Sequence, residues 1–343
     1  MSSLIVIHPT FESHWPFVGE IFHAIWQAQE ETELIRLDRQ DTRRLGQVCP
    51  QPDQVTRLAC LGLPVSRACL AGFTNLTEAT FQAPYGGNAL SEESLADLAE
   101  RKISLYQHRS EGYWGQSVAE FALALTLNAL RRIPQNYREM ISSHAPWEQY
   151  SPARNQGPGT LGAQFSDDLQ FTHGTVAGKR VRIIGAGNIG SRYANFVAML
   201  GADVAAWDPF ATEAHFHRAG SRREWHLAEL MTNAQIFVPM LPLTPNTRGL
   251  VTADLIRRLP SGCLVVLATR ANICDMAEIR RRVLADELAL AADVFDTEPL
   301  PLDDPLLGRH NVVHTPHLAG RTYDANRQWV TDLTAQFKPI TND

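Results

Sequence analysis

The chain has 343 residues, of which 44% are hydrophobic and 20% charged, so it can bury one large core or two smaller ones, and its length favours two domains. Lysine and arginine number 31 against 37 aspartates and glutamates, and a net charge of −6 argues against nucleic acid or an anionic membrane as the main partner. Apolar runs fall well short of the roughly 20 residues that cross a bilayer, and no basic region precedes an apolar run at the N-terminus. We therefore expect a cytoplasmic protein that acts on a small molecule.

The cysteines are odd in number and show no CxxC spacing, a pattern that favours reduced thiols over a disulfide framework or a cysteine-based metal site. They are Cys49, Cys60, Cys69, Cys263 and Cys274.

The N-terminal part predicts an α/β unit. Residues 4–7 form an apolar, β-branched run typical of a strand, and helical spacing follows over 18–27. Prolines and glycines interrupt residues 43–88, so elements there are assigned only loosely. Ser91 can cap a helix that runs through Arg101, and residues 103–106 then indicate another strand.

Residues 117–143 predict one long helix, in which Ser117 caps the start and Glu120 completes a capping box. The first half of this helix is apolar nearly all round, so it should be covered on several sides, between domains or in a subunit interface. A homodimer is therefore expected. The following stretch, residues 147–178, is rich in Gly, Pro, Ser, Gln and Asn and predicts a long arm or loop.

From Arg180 onward strands alternate with helices at short intervals, which indicates a parallel, doubly wound sheet. The predicted strands are 181–185, 204–208, 236–240, 263–268, 290–295 and 311–316, and the predicted helices are 189–200, 227–231, 252–258 and 276–284.

A glycine-rich turn joins the first strand and helix of this region. Its sequence is Gly185-Ala186-Gly187-Asn188-Ile189-Gly190, and Asp208 ends the next strand. The first glycine makes a tight turn, the second lets the backbone approach a pyrophosphate, and the third lets helix and strand pack closely. The helix N-terminus attracts the phosphates, while Asp208 can bind the adenosine ribose and repel a 2′-phosphate, which favours NAD over NADP.

A glycine-rich string alone also fits an ordinary turn or a methyltransferase loop, but strand, helix and acid together favour a dinucleotide. No basic residue directly follows Asp208, and the first arginine after it is Arg218. His215, His217 and His226 lie close together in a polar region without cysteine or HExxH spacing, so no metal site is expected.

Three segments of the C-terminal third, together with the glycine turn, resemble the D-isomer-specific 2-hydroxyacid dehydrogenase family. VVLATRANICD contains Arg270, AADVFDTEPLP contains Glu298, and HTPHLAG contains His317. The resemblance implies that these three are the catalytic residues. Hydride transfer to a 2-keto carbon leaves negative charge on the keto oxygen, so His317 would donate a proton, Glu298 would hold its imidazole and favour the charged form, and Arg270 would grip the carboxylate and keto oxygen.

The resemblance also implies two α/β domains of Rossmann-like and flavodoxin-like type, with doubly wound parallel sheets and an active-site cleft between them. Residues 1–117 and 315–343 would bind the substrate, and residues 118–314 would form the NAD-binding Rossmann domain, with an inserted loop around 150–170. Backbone groups of Gly86, Gly87 and Asn88 would bind the substrate carboxylate together with Arg270. Besides the glycine turn and Asp208, the expected NAD contacts are Pro242, Thr247, Ala268, Thr269, Arg270, Asp293, His317 and Gly320.

The expected activity is NAD-dependent oxidoreduction between a 2-keto acid and a D-2-hydroxy acid. Two alternatives stay open. A non-enzymatic NAD-sensing scaffold or corepressor can use the same fold, since fold does not fix function. A dehydrogenase for an inorganic anion such as phosphite is the other.

Overall fold

The computed structural model describes residues 2–84, 88–108, 112–148, 158–159 and 165–339. The chain divides into two compact units, one formed by Met1–Tyr113 with Arg321–Asp343 and the other by Trp114–Gly320. The chain therefore passes between the units twice, after Tyr113 and after Gly320, whereas the sequence placed these passages after residues 117 and 314.

The first unit is built on a five-stranded sheet in the order β2-β1-β3-β4-β5, with every strand pair parallel. Its elements up to the first passage are β1 (Ser2–Ile7), α1 (Pro9–Glu12), α2 (Val18–Gln27), β2 (Thr32–Arg36), α3 (Leu45–Val48), β3 (Val55–Leu61), α4 (Arg67–Leu70), β4 (Glu78–Gln82), α5 (Glu92–Glu100) and β5 (Ser104–Leu105). Ser91 caps α5 as predicted, because its hydroxyl accepts a hydrogen bond from the backbone N–H of Ser94.

The second unit holds a seven-stranded sheet in the order β12-β11-β10-β9-β6-β7-β8, again parallel throughout. Its elements are α6 (Gly115–Leu130), α7 (Ile133–Met140), α8 (Ala145–Glu148), β6 (Arg180–Ile184), α9 (Asn188–Met199), β7 (Asp203–Trp207), α10 (Glu213–Ala219), β8 (Arg222–Arg223), α11 (Leu227–Thr232), β9 (Ile236–Pro239), α12 (Ala253–Arg257), β10 (Leu264–Leu267), α13 (Met276–Leu284), β11 (Ala289–Ala292) and β12 (Val312–His314). A last helix, α14 (Tyr323–Thr334), returns to the first unit. The predicted α/β class with two doubly wound parallel sheets is confirmed.

Each sheet is buried on both faces, because successive side chains of a strand point to opposite sides. In β10, Leu264 and Val266 join the core on one face, while Val265 and Leu267 join the core on the other. In β1, Ile5 and Ile7 share a core with Trp329 and other residues of α14. This packing explains why the C-terminal segment belongs to the N-terminal unit.

The single helix predicted over 117–143 is wrong, because the structure breaks it in two. Arg132 adopts a left-handed backbone with φ 51° between α6 and α7, and Pro134 lies in the first turn of α7, where a proline is tolerated. The predicted cap is wrong as well. Helix α6 begins at Gly115, so Ser117 lies inside it and its hydroxyl donates to the carbonyl of Trp114.

The arm predicted over 147–178 is described only in part, since residues 149–157 and 160–164 lie outside the described residues. All five cysteines are buried and none forms a disulfide. Burial raises the pKa of Cys60 and of Cys263 to about 12, which keeps both thiols protonated at neutral pH. Among the described residues, no helix combines the length and the apolar character needed to cross a bilayer.

Candidate active site

The sheet of the second unit brings the three proposed catalytic residues to one edge. Strands β10, β11 and β12 are neighbours in the sheet and run parallel. Arg270 follows β10, Glu298 follows β11 and His317 follows β12. All three therefore leave the sheet at its carboxyl edge, the edge at which ligands bind in open α/β sheets.

His317 and Glu298 form a direct pair, with His317 Nδ1 2.7 Å from Glu298 Oε2. The other oxygen of Glu298 accepts a hydrogen bond of 2.8 Å from the backbone N–H of Phe295, which fixes the orientation of the carboxylate. Since a carboxylate only accepts hydrogen bonds, Nδ1 carries a proton here. Nε2 is then the nitrogen that can exchange a proton with a bound substrate.

The turn that carries His317 is held in an unusual conformation by Asp293. His317 has φ 56°, in the left-handed region that L-residues rarely adopt. The fully buried carboxylate of Asp293 accepts hydrogen bonds from the backbone N–H groups of Leu318 and Ala319, each 2.9 Å long, and from the hydroxyl of Thr315 at 2.6 Å. Because these bonds fall on both sides of His317, Asp293 fixes the backbone that aims the imidazole.

Arg270 lies in extended backbone at the end of β10, with φ −148° and ψ 124°, just before a short 3₁₀ turn over Ala271–Ile273. Arg270 is half-buried, and its Nη1 donates to the carbonyl of Thr269 at 2.7 Å. A guanidinium held in this way presents a planar fork of N–H donors, a shape that matches a carboxylate.

The glycine turn fits a dinucleotide. Gly185 has φ 99°, and a Cβ atom built there would lie 2.6 Å from the carbonyl oxygen of Met240, so only glycine can occupy this position. A Cβ on Gly190 would lie 2.0 Å from the carbonyl oxygen of Gly185, whereas one on Gly187 would meet no atom within 4 Å. The backbone is thus open above Gly187, where a pyrophosphate needs close approach. Asn188 and Ile189 form the first turn of α9, whose N–H groups can receive the phosphates.

Asp208 braces this turn. One of its carboxylate oxygens accepts a hydrogen bond of 2.8 Å from the N–H of Ala186, and the other accepts from Phe210 and Ala211 at 2.9 and 3.0 Å. A carboxylate offers about four acceptor positions, so one remains for a ribose hydroxyl. Asp208 therefore connects the glycine turn to the loop after β7, a bracing role that the sequence did not predict.

The other predicted cofactor contacts follow the same strand ends. Thr269 is buried and its hydroxyl donates to the carbonyl of Pro239. Thr247 donates from its hydroxyl to Pro242 at 2.6 Å and so closes the loop after β9. A Cβ on Gly320 would lie 3.5 Å from the Trp114 ring. Ala268 is also buried and directly follows β10. The contacts of all these residues with NAD stay predictions.

Of the predicted substrate-binding loop, Gly86 and Gly87 lie outside the described residues. Asn88 is described and exposed. Its contact with a substrate carboxylate stays a prediction.

One residue near the cofactor turn escaped the sequence analysis. Arg223 lies 15 residues after Asp208 in the chain, yet its Nη2 is 3.4 Å from the Asp208 carbonyl oxygen. The short strand β8 pairs with β7 and carries Arg223 back to this edge. Only two residues form β8, too few to show a strand pattern in the sequence. Within the described part of the chain, no group of three or more His, Cys, Asp or Glu side chains is placed to hold a metal ion.

The fold and the site define a protein with a dinucleotide-binding Rossmann unit and a histidine–glutamate pair at its sheet edge. The family model of the D-isomer specific 2-hydroxyacid dehydrogenase NAD binding domain matches residues 123–319, more than half of the chain. The chain belongs to this family of NAD-dependent dehydrogenases, and the predicted cofactor, NAD, is confirmed.

Curated relatives include D-3-phosphoglycerate dehydrogenase of Bacillus subtilis, 34% identical over 210 residues, which are 61% of this chain and 36% of that protein. The enzyme of the same name from Archaeoglobus fulgidus is 31% identical over an equal length. The matched region thus spans little more than a third of these relatives.

Solved structures show the same fold over nearly the whole chain. D-isomer specific 2-hydroxyacid dehydrogenase of Lactobacillus delbrueckii, in its NAD-complexed form, is similar with a TM-score of 0.67 and 15% identity, covering 97% of this chain and 96% of that one. The apo-structure of D-lactate dehydrogenase from Escherichia coli gives a TM-score of 0.60 and 19% identity, covering 97% and 95%. At these identities the likeness shows the fold alone.

Proposed function

We propose that the protein transfers a hydride between NAD(H) and C2 of a 2-keto or D-2-hydroxy acid. The observation that carries the proposal is the His317–Glu298 pair of 2.7 Å at the carboxyl edge of a dinucleotide-binding sheet, beside the strand end that bears Arg270. A carboxylate-backed imidazole and a guanidinium at one edge suit the reduction of a carbonyl beside a carboxylate.

The proposed roles follow from the chemistry of each side chain. The glycine turn and Asp208 would hold NADH, which would supply the hydride when bound. Arg270 binds the substrate carboxylate and keto oxygen and so sets which face of the carbonyl is presented. His317 transfers its Nε2 proton to the keto oxygen as negative charge develops there, and Glu298 stabilises the imidazolium before the transfer. In the reverse direction, neutral His317 takes the hydroxyl proton.

The test is loss of NADH absorbance at 340 nm with a panel of 2-keto acids. The panel includes glyoxylate, pyruvate, hydroxypyruvate, a bulky aromatic keto acid and the 3-phosphorylated form of hydroxypyruvate, because several relatives are named D-3-phosphoglycerate dehydrogenase. We expect turnover with at least one of them. NADH binding without turnover across the panel would instead favour a scaffold that only senses NAD.

We also propose that the protein is a cytoplasmic homodimer. Phe121, Leu123, Leu127 and Ala129 of α6 are only half-buried within the described residues, which leaves apolar surface for a second copy. Sedimentation equilibrium at micromolar concentration tests this proposal, and a monomer mass would overturn it.

A further inference from the structure

Strand β8 places two arginines on opposite faces of the cofactor sheet. Arg222 points toward Asp203 and Glu224, while Arg223 points toward the loop that follows Asp208. Arg223 Nη2 lies 3.4 Å from the carbonyl oxygen of Asp208 and 3.2 Å from that of Ala211. A guanidinium therefore lies within hydrogen-bonding distance of the backbone of Asp208, the residue whose carboxylate is expected to meet the adenosine ribose.

Stacking and an ion pair fix this guanidinium. Its Cζ atom lies 4.2 Å from the centre of the Trp225 ring and 4.9 Å from that of Phe216. Its Nη1 is bonded to the carboxylate of Glu213, whose side chain is 75% exposed. The two aromatic rings and the two carbonyls position Arg223 without help from Glu213, so the carboxylate mainly neutralises a cation that other contacts already hold.

This arrangement decides what the site can bind beyond NAD. The 2′-phosphate of NADP carries about two negative charges and needs a cation near the ribose. Arg223 can supply that cation, but the negative charge of Glu213 neutralises it and would repel a phosphate group. We propose that Glu213 is a specificity-determining residue, which masks a latent 2′-phosphate site on Arg223 and so enforces the preference for NAD over NADP.

The experiment measures the dissociation constants of NADH and NADPH for the full chain by calorimetry, so that it does not depend on turnover. In Glu213→Gln, we expect NADPH to bind about tenfold more tightly, the gain that one charge-assisted hydrogen bond at a partly exposed site supplies, while NADH affinity changes less than twofold. Asp254→Asn is the matched control, since it removes an 85% exposed carboxylate from another arginine pair in the same unit, and it should change neither constant.

The double variant Glu213→Gln/Arg223→Gln tests whether tighter NADPH binding depends on the Arg223 guanidinium or follows only from the loss of a negative charge. Glutamine at position 223 carries no charge, so the gain toward NADPH should disappear while NADH still binds. A gain that persists in the double variant, or an unchanged NADPH constant in Glu213→Gln, would overturn the proposal. If the double variant does not fold, the dissociation constants of adenosine 2′-phosphate and of adenosine are measured for the wild type and for Glu213→Gln. Only adenosine 2′-phosphate should bind more tightly to the variant, and equal changes for both ligands would overturn the proposal.

Discussion

His317 shows how a single residue depends on its surroundings for its chemistry. Its imidazole is bonded to Glu298 and its backbone is left-handed, with φ 56°. The sequence could predict the pair only through its resemblance to a known family, whose glutamate and histidine segments match AADVFDTEPLP and HTPHLAG. It could not predict that Asp293 holds the turn, since three hydrogen bonds from 315–319 reflect a backbone path that no local pattern specifies.

Replacing His317 with glutamine tests the proton transfer directly. Without a titratable group, kcat for keto-acid reduction should fall by about 10²- to 10⁴-fold, while the NADH dissociation constant stays nearly unchanged. Steady-state rates and fluorescence titration measure the two quantities. A variant that keeps the full rate would remove His317 from the reaction.

Asp293→Asn tests the positioning role of the buried carboxylate. The amide has one acceptor oxygen and directs an N–H group toward backbone donors, so the turn should loosen and kcat should fall by about tenfold or more, at a stability cost of about 1–3 kcal/mol. If Asp293 acts through His317, the double variant Asp293→Asn/His317→Gln should be no slower than His317→Gln alone. Additive losses would show that Asp293 acts elsewhere.

At the scale of elements, periodicity predicted most of the second unit. Helix α13 has the predicted bounds, and the predicted strands of the cofactor sheet coincide with observed ones within a few residues. The break after α6 was missed because Ala- and Leu-rich spacing outweighed Pro134 in the prediction. Strands β3 and β4 were assigned only loosely, because prolines and glycines between them obscure the short apolar runs.

Packing of α6 on α9 depends on a buried hydroxyl pair, in which Thr126 Oγ1 lies 2.9 Å from Tyr193 Oη. Tyr193→Phe removes this hydrogen bond but leaves Thr126 bonded to the carbonyl of Ala122. We expect a loss of about 1 kcal/mol in the free energy of unfolding, measured in urea, with NADH affinity unchanged. No loss of stability would show that the pair contributes nothing.

His108, a histidine packed against the C-terminal helix α14, should make the first unit sensitive to acid. His108 packs on Trp329 and accepts or donates a hydrogen bond of 2.8 Å with Tyr113, and burial lowers the pKa of His108 to about 4 while Asp332 opposes the shift. The unfolded chain takes up this proton near the ordinary pKa of about 6.5, so the native state loses stability as the pH falls from 6.5 toward 4.

His108→Gln cannot take up the proton, so its urea midpoint should fall less than that of the wild type between pH 7 and pH 5. The comparison cancels the contribution of groups that take up protons equally in both proteins. If the urea midpoint fell equally in the two proteins, the account of a half-buried His108 with a lowered pKa would be contradicted.

At the scale of the whole molecule, two parallel sheets of different strand order share one chain, and the C-terminal helix returns to the N-terminal unit. The sequence predicted the parallel sheet of the second unit from the alternation of strands and helices, which is a local signal. The two units and the return of the C-terminal segment were what the family resemblance implied. The sequence did not predict Arg223 beside Asp208, because that neighbourhood depends on how a two-residue edge strand pairs with β7.

The most direct measurement follows the hydride itself. NADH that carries deuterium on the transferred C4 position is mixed with the best keto acid from the panel, and the product is examined by mass spectrometry and chiral chromatography. We predict a D-2-hydroxy acid with one deuterium at C2, formed at a rate that falls at least a hundredfold in His317→Gln. An unlabelled product, an L-hydroxy acid, or full labelling at an unchanged rate in His317→Gln would contradict the proposed reaction.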